Sequence, residues 1–390
     1  MEKKKSKKKK IGKIIAIVCS CAIGLPLLVG IGYVSYVFVS YKRIGSINLE
    51  VTNKNEDSLD ANKSYTITSY NIGFGAYSPE YTFFMDTGYN ADGSKTTGKY
   101  GKGISKEDVL KNVNGSINVI QSLNNDFYAL QEVDIDADRS YHINQKDKIE
   151  STLATYSNTF AVNFDSAYLF YPFNDPHGKS KAGLSTLSKY KIESSKRVEY
   201  TISNSFSKFF DLDRCFSVNV IPLSNGKKFI LINSHMSAYD EGGKIRDTQI
   251  KELYSYMKSE AANGNYVIAA GDFNHDLITN NPMYPEYTKD NFAYKDMIKQ
   301  LKPDWLNYMF SDNKTSAFDD GFKVVAANNE PSCRDCDVIW DRGSTFVSTV
   351  DGFIVSNNIK VDSVSTLKVG ANGFSYSDHQ PTTLKFEFQS

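Results

Sequence analysis

Five short motifs place an acid, an amide or an imidazole directly after an apolar run of the β type. Along the chain they read N-I-G, L-Q-E-V, N-S-H, G-D-F-N and S-D-H-Q-P. Carboxylate and amide oxygens gathered at one sheet edge suit Mg²⁺, which keeps positions for water and substrate phosphate. Imidazoles beside them can transfer protons. The set indicates metal-assisted attack of water on phosphorus, which must balance charge on the attacking and leaving oxygens. The residues are Asn71, Glu132, His235, Asp272, Asn274, Asp378 and His379.

Each motif alone has a simpler interpretation. An Asn or Asp at a strand end is more often a turn former, and a lone His is more often a structural residue. The ordered combination, with an apolar run before each motif, is what favours a catalytic site. Asp351, in the run STVDGFIV, adds a carboxylate that can orient the His379 imidazole.

The elements that position these residues alternate between strand and helix patterns. Ser105 is a predicted N-cap, because the apolar residues 109, 113, 117 and 120 after it recur on one helical face. Mixed strands and helices without a repeat predict one α/β domain with helices on both sides of packed sheets. Further helices are predicted near 145–158 and 243–263, and strands near 65–73, 126–134, 161–164, 182–190, 214–223, 228–236, 266–274, 349–356, 360–369 and 381–389.

An apolar run without charged residues covers residues 14–40. As a helix it is about 40 Å long, more than the roughly 30 Å hydrocarbon core of a bilayer. Its length favours an uncleaved transmembrane helix over the alternative, a cleaved signal peptide, whose apolar part is much shorter. The lysine-rich residues 1–13 before it predict a cytoplasmic N-terminus, with the rest of the chain outside the cytoplasm at the cell membrane.

Basic and acidic residues are unevenly distributed between the N-terminal segment and the rest of the chain. The 390 residues hold 45 basic and 45 acidic residues, but ten of the basic ones lie in residues 1–43. The remainder has an excess of nine acidic residues, which argues against a broad basic surface that binds nucleic acid. We predict a polar stalk with at most one strand over residues 41–63 and a catalytic domain over 64–390. Residues 74–104 and 276–345 are predicted insertions.

Two cysteines outside the membrane segment form a C-x-x-C pair, Cys333 and Cys336. Zinc requires a second ligand pair, and the sequence has none. A local disulfide or two free thiols are therefore both favoured over a metal site.

In this order the motifs resemble the endonuclease/exonuclease/phosphatase superfamily, which includes deoxyribonucleases, sphingomyelinases and inositol-polyphosphate phosphatases. The resemblance covers about residues 64–390 and is most specific at GDFN and SDH. It implies a four-layer αββα sandwich of two packed mixed sheets, with the site at one edge. It also implies Mg²⁺, or Mn²⁺ in its place, as the cofactor.

The resemblance implies a role for each matching residue. Glu132 is similar to the main metal ligand of the family, with Asn71 and Asp378 in the metal or phosphate shell. Arg214 matches, less firmly, a position near the substrate.

The same resemblance implies the residues that act on water and phosphate. Asp272 looks like the group that orients or deprotonates water, with Asn274 beside it. His235 and His379 look like the imidazoles that stabilise the transition state or move protons, with Asp351 paired to His379.

The sequence therefore predicts a membrane-anchored, metal-dependent phosphoesterase that hydrolyses diesters or monoesters. Its substrate class stays open between nucleic acid, phospholipid and inositol phosphate, and no protein partner is predicted. A catalytically silent binding module is the alternative from another class. Apolar residues of the two insertions are expected either to contact lipid or to form the insertions' own cores. They are Phe83, Phe84, Met85, Trp305, Tyr308 and Phe310.

Overall fold

The computed structural model describes residues 2–89, 93–238, 244–278 and 321–389. Trp305, Tyr308 and Phe310 lie outside these residues, as does most of the predicted insertion at 276–345. The helices are α1 (Glu2–Ser40), α2 (Lys106–Leu123), α3 (Gln145–Thr152) and α4 (Lys244–Ala262). The strands are β1 (Ile47–Leu49), β2 (Val51–Thr52), β3 (Ser64–Asn71), β4 (Thr87–Tyr89), β5 (Lys95–Thr97), β6 (Phe127–Ala137), β7 (Ser157–Asp165), β8 (Ser180–Ser188), β9 (Ser194–Glu199), β10 (Cys215–Pro222), β11 (Lys228–His235), β12 (Tyr266–Asp272), β13 (Phe322–Val325), β14 (Cys333–Arg334), β15 (Val347–Ser348), β16 (Asp351–Ser356), β17 (Ile359–Thr366) and β18 (Thr382–Phe388).

Two seven-stranded mixed sheets form the centre of the domain. Sheet I has the order β17-β18-β3-β6-β8-β7-β2, and sheet II has the order β1-β9-β10-β11-β12-β16-β13. Each sheet has one parallel pair at its centre, β3 with β6 and β11 with β12. The strands of these pairs end at the same edge of their sheet, and the polar motifs follow those ends.

The two sheets pack face to face, and helices cover their outer faces. Between the sheets, Ile67 and Phe127 of sheet I belong to one apolar cluster with Leu231 and Phe353 of sheet II. Helix α2 packs Val109 and its apolar face on sheet I, and α4 packs its apolar face on sheet II. The four-layer α/β sandwich is thereby confirmed.

Local signals explain where the elements begin and end. The predicted N-cap of α2 is confirmed, since the Ser105 hydroxyl accepts the Asp108 N–H at 3.1 Å. The helix predicted at 145–158 ends earlier, at Thr152, because residues from Ser157 onward pair with β8 instead.

The predicted stalk contains two short strands rather than at most one. β1 pairs with β9 in sheet II, and β2 pairs with β7 in sheet I. Residues 47–52 are therefore held against the body of the domain by strand pairing.

Helix α1 carries the apolar run. Among the described residues, the segment Lys9–Ser40 of this helix is long and apolar enough to cross a membrane. Most of its apolar side chains are exposed, as expected for a helix that lipid surrounds.

Candidate active site

Strand ends bring polar residues from both sheets to one edge. In sheet II, His235 lies beside Asp272 on β12, and Asp272 lies opposite Asp351 on β16. In sheet I, Asn71 ends β3, and Glu132 follows its register partner on β6. The order of residues along each strand thus determines which side chains meet.

Asp272 lies at the centre of this group and is 1% exposed. Its Oδ2 accepts a hydrogen bond from Asn71 Nδ2 at 3.0 Å, and its Oδ1 accepts one from the Asn274 N–H at 2.9 Å. The Nε2 atoms of His235 and His379 lie 3.5 Å and 3.6 Å from its Oδ2. One carboxylate is therefore fixed by two amides and faced by two imidazoles, in agreement with the neighbours that the motifs imply.

The two imidazoles are in opposite electrostatic settings. Burial opposes a charge on His379, but its Nδ1 lies 2.7 Å from Asp351 Oδ2, and this and other carboxylates hold its pKa well above the ordinary value. Burial, with the nearby charge of Arg214, holds the pKa of His235 well below the ordinary value. These shifts favour the protonated form of His379 and the neutral form of His235, whose approach to Asp272 is then a contact without an ion pair.

The backbone is strained where Glu132 enters the site. Its φ of +53° lies in the left-handed region, and the pairing of β6 with β8 shifts register between Leu130 and Val133. Such a bulge interrupts the regular alternation of side chains between the two faces of the sheet and changes the direction of one side chain. The Glu132 carboxylate accepts the Asn71 amide at 3.1 Å and lines the cavity. Asn274, with φ +50°, is also in the left-handed region.

The donors present fit a divalent cation that prefers oxygen. The carboxylates of Glu132, Asp272 and Asp378 line one cavity. Burial raises the pKa of Asp272, and burial with the neighbouring Glu132 charge raises the pKa of Asp378 to about 6, against the opposing effect of His379. A bound divalent cation would offset this crowding of negative charge.

Ligand atoms of Asp272, Asp351 and His379 also lie within 4.8 Å of one another. However, His379 Nδ1 is already bonded to Asp351. One of the possible ligand atoms of this triad is therefore already engaged by a neighbour.

Buried guanidinium groups line the same cavity. Arg214 is 2% exposed and donates to Asp211 Oδ1 at 3.3 Å, but its Nε and Nη1 have no hydrogen-bond partner among the described residues. Arg334 is equally buried. Its Nε has no hydrogen-bond partner in the part of the chain that the structure describes. Both arginines line the cavity, so their positive charge favours an anion there.

Arg334 was not anticipated from the sequence, because it lies in the predicted insertion without a surrounding pattern. Its neighbour Cys333 places Sγ 3.6 Å from His379 Nε2. Cys333 and Cys336 are free thiols, which is one of the two predicted states. Burial raises the pKa of Cys333 to about 12, so its thiol stays protonated.

The cavity has a volume of about 760 Å³ and two unlike ends. One end holds the polar residues described above. The other is lined by aromatic side chains, among them Phe83 and Phe84 of the first predicted insertion. Phe83 is buried in a cluster with Cys336 of the second insertion, whereas Met85 is 39% exposed. The first insertion therefore has a core of its own and also forms a wall of the cavity.

The sequence matches the model of one known protein family. The sequence model of the Endonuclease/Exonuclease/phosphatase family matches residues 68–379. No curated protein sequence matches the chain.

Solved structures are similar in fold at low sequence identity. A crystal structure of an endonuclease/exonuclease/phosphatase from Beutenbergia cavernae has a TM-score of 0.52 at 14% identity, over 84% of this chain and 72% of that one. The human Nocturnin catalytic domain with bound sulfate has a TM-score of 0.50 at 14% identity, over 87% and 97% of the two chains. D. rerio TDP2 complexed with a single-strand DNA product has a TM-score of 0.50 at 14% identity, over 83% and 99%.

Proposed function

The chain belongs to the endonuclease/exonuclease/phosphatase family of phosphoester-hydrolysing enzymes, and from this premise we propose that it is a membrane-anchored, Mg²⁺-dependent phosphoesterase with its catalytic domain outside the cytoplasm. The observation that carries the proposal is the setting of Asp272. Two amide groups fix its carboxylate, and two imidazoles lie within 3.6 Å of one of its oxygens.

In the proposed reaction, Asp272 orients a water molecule and accepts its proton as the oxygen attacks phosphorus. The raised pKa of Asp272 makes its carboxylate a stronger base than an exposed aspartate. The hydrogen bonds from Asn71 and Asn274 keep the carboxylate in one orientation, which lowers the entropic cost of the attack.

The proposed role of His379 is to stabilise the phosphoryl oxygens and to give a proton to the leaving oxygen. Asp351 binds its Nδ1–H, which leaves the Nε2–H facing the cavity. Arg214, which lines the cavity, supplies a positive charge near the phosphate. His235, being neutral, can donate or accept one hydrogen bond at Nε2.

Glu132 and Asp378, with the Asn71 amide beside them, would hold the metal ion. When bound, Mg²⁺ supplies a positive charge that offsets the charge developing on the phosphoryl oxygens. Mn²⁺ prefers the same oxygen donors and is the alternative ion.

The anchoring proposal rests on helix α1 and on the lysines before it. Eight lysines precede the apolar run, which predicts that this end stays in the cytoplasm. Protease added to intact cells should then degrade the body of the protein and spare α1. A soluble form in the medium that begins near residue 40 would instead establish a cleaved signal peptide.

The activity is tested with the full-length chain in detergent micelles. We expect hydrolysis of bis(p-nitrophenyl) phosphate with Mg²⁺ and none with excess EDTA, and p-nitrophenyl phosphate shows whether monoesters are also substrates. Absence of hydrolysis of both compounds at any Mg²⁺ or Mn²⁺ concentration would contradict the proposal and favour a silent binding module.

Single-stranded nucleic acid is the second candidate substrate. It is suggested by the similarity in fold to the TDP2 structure that contains a DNA product. The acid excess of residues 44–390 makes it the weaker candidate, because binding to a nucleic-acid backbone is dominated by basic side chains.

A further inference from the structure

The outer end of helix α1 is packed onto the catalytic domain. Val37 is 1% exposed and lies in a cluster with Phe209 of the domain. The Tyr33 hydroxyl donates to the Tyr168 carbonyl at 2.9 Å, and the Tyr41 ring meets Phe209 edge-on at 5.0 Å. The helix and the domain are thus joined by side-chain contacts as well as by the chain.

This end of the helix also lines the catalytic cavity. Tyr33 lines the cavity and contacts Phe170, which lines it too, with ring centroids 5.1 Å apart. Ser40, where α1 ends, lies seven residues after Tyr33, or about 10 Å along the helix axis. The headgroup layer of a bilayer is roughly 5–8 Å deep on each side. If α1 spans the membrane, the Tyr33 side of the cavity therefore lies at the interface between lipid and water.

The loop between β7 and β8 exposes aromatic side chains at the same place. Phe170, Tyr171 and Phe173 are 50%, 61% and 85% exposed, and all three line the cavity. Exposed aromatic residues that are contiguous with a membrane helix are typical of segments that lie in the bilayer interface. Lipid would cover these side chains, which water otherwise surrounds.

Much of the wall between this mouth and the polar end is apolar. This apolar part includes side chains from three segments of the chain, namely Phe84, Phe164, Leu169, Phe210 and Leu212. Such a wall binds a hydrocarbon chain without leaving polar groups unpaired. The cavity volume is within the range of sites that enclose a small organic molecule.

The charges of the cavity favour a substrate with one phosphate over a polyanion. Beside the catalytic acids, four aspartates line the cavity, namely Asp86, Asp211, Asp335 and Asp337. A polynucleotide would bring several phosphates against them, whereas a lipid brings one, which Arg214 and Arg334 can bind at the polar end.

We propose that the cavity takes a phospholipid diester directly from the membrane leaflet that surrounds the outer end of α1. This inference rests on the proposed function and names its substrate class. The headgroup phosphate lies at the polar end and the alkyl chain lies along the aromatic wall. Water adds to phosphorus, one phosphorus–oxygen ester bond breaks, and the departing oxygen takes a proton to leave as an alcohol. The products are that alcohol and a phosphate monoester.

The test compares two soluble diesters that differ only in alkyl length, p-nitrophenyl methyl phosphate and p-nitrophenyl octyl phosphate. Both release p-nitrophenol, and the full-length chain is used in detergent micelles with Mg²⁺. Each buried methylene favours binding roughly fourfold, so kcat/KM should be at least about tenfold higher for the octyl compound. Vesicles of phosphatidylglycerol and phosphatidylcholine then test a natural diester, with release of phosphate monoester as the readout.

The variants Tyr171→Ser and Phe173→Ser should bring the octyl-to-methyl ratio of kcat/KM towards one. The matched control is Leu367→Ser, an exposed apolar residue, 41% exposed, that does not line the cavity. This control should keep the wild-type ratio.

The outcomes separate this inference from the proposed function. Equal kcat/KM for the two diesters, with hydrolysis of both, would overturn the lipid inference and leave the phosphoesterase intact. A single-stranded oligonucleotide cleaved with a higher kcat/KM than the octyl diester would also overturn it. No hydrolysis of any of these compounds would contradict the proposed function itself.

Discussion

The two ends of the cavity hold a histidine in opposite states. At the polar end, Asp351 keeps the pKa of His379 well above its ordinary value. At the aromatic end, burial and the nearby Arg139 lower the pKa of His177 to about 3, and its Nδ1–H donates to the Gly101 carbonyl at 2.6 Å. The charge of His379 is compensated by a carboxylate, whereas burial beside a cation keeps His177 neutral. We infer that the polar end carries the chemistry and the aromatic end recognises apolar groups.

The largest expected effect is at the polar end, where His379 and Asp351 form one unit. His379→Ala and Asp351→Asn should each lower kcat by at least about 10²-fold, with KM less affected. The double variant should be no worse than the worse single one, because both changes remove the same interaction. The measurement is a double-mutant cycle on kcat, with circular dichroism to verify folding. Losses that multiply fully would break the proposed pairing.

A smaller effect at the same end concerns the metal. Glu132→Gln keeps the shape of the side chain but removes one charged oxygen ligand. We expect the Mg²⁺ concentration for half-maximal activity to rise at least about tenfold, while the thermal midpoint stays close to wild type. An unchanged Mg²⁺ titration would exclude the proposed role of Glu132 and shift attention to Asp378.

The smallest effect is on stability and belongs to the aromatic end. The folded pKa of His177 is below its unfolded value, so the unfolded state binds the proton first. The stability that neutral His177 contributes is complete above about pH 6.5 and is lost as the pH falls towards 3. His177→Asn retains a hydrogen-bond donor and removes the titration. Between pH 7 and 4.5 its unfolding free energy should decline less than that of wild type, by on the order of 2 kcal/mol.

The comparison uses the change in unfolding free energy between the two pH values. A loss of packing energy that is equal at both pH values therefore cancels. Other buried histidines, such as His235, titrate in both proteins and cancel as well. Parallel slopes for wild type and His177→Asn would show that His177 is not held neutral, and the contrast between the two ends would fail.

The two ends also differ in how far the sequence predicts them. Asn71 and Asp272 lie where apolar β-runs stop, and strand pairing brings such ends together, so the polar end follows from pattern. Loops and the end of helix α1 form the aromatic end, and their approach depends on long-range packing. Tyr33 lies about 140 residues before Phe170, and no periodicity links them. Predicted insertions likewise gave no indication that Arg334 would enter the cavity.

Asp134 is a charged residue whose environment also could not be predicted from the sequence. Asp134 and the two aspartates after it have the spacing of a calcium-loop start, but Arg139 stands where that loop needs glycine, so the sequence favours a solvated acidic loop. In the structure Asp134 is buried and pairs with Arg139 at 2.8 Å, and that guanidinium packs on the Phe74 ring. Only the fold reveals that this pair supports the cavity wall.

Asp272→Asn provides the most direct test of the central claim, that Asp272 activates water for a metal-dependent attack on phosphorus. The full-length wild type and variant are compared on bis(p-nitrophenyl) phosphate across a Mg²⁺ titration, with EDTA as the zero point. The account predicts that EDTA abolishes wild-type hydrolysis, that Mg²⁺ restores it, and that the folded variant loses at least about 10²-fold in kcat at saturating Mg²⁺. Hydrolysis that persists in EDTA, or a variant within threefold of wild type, would contradict it.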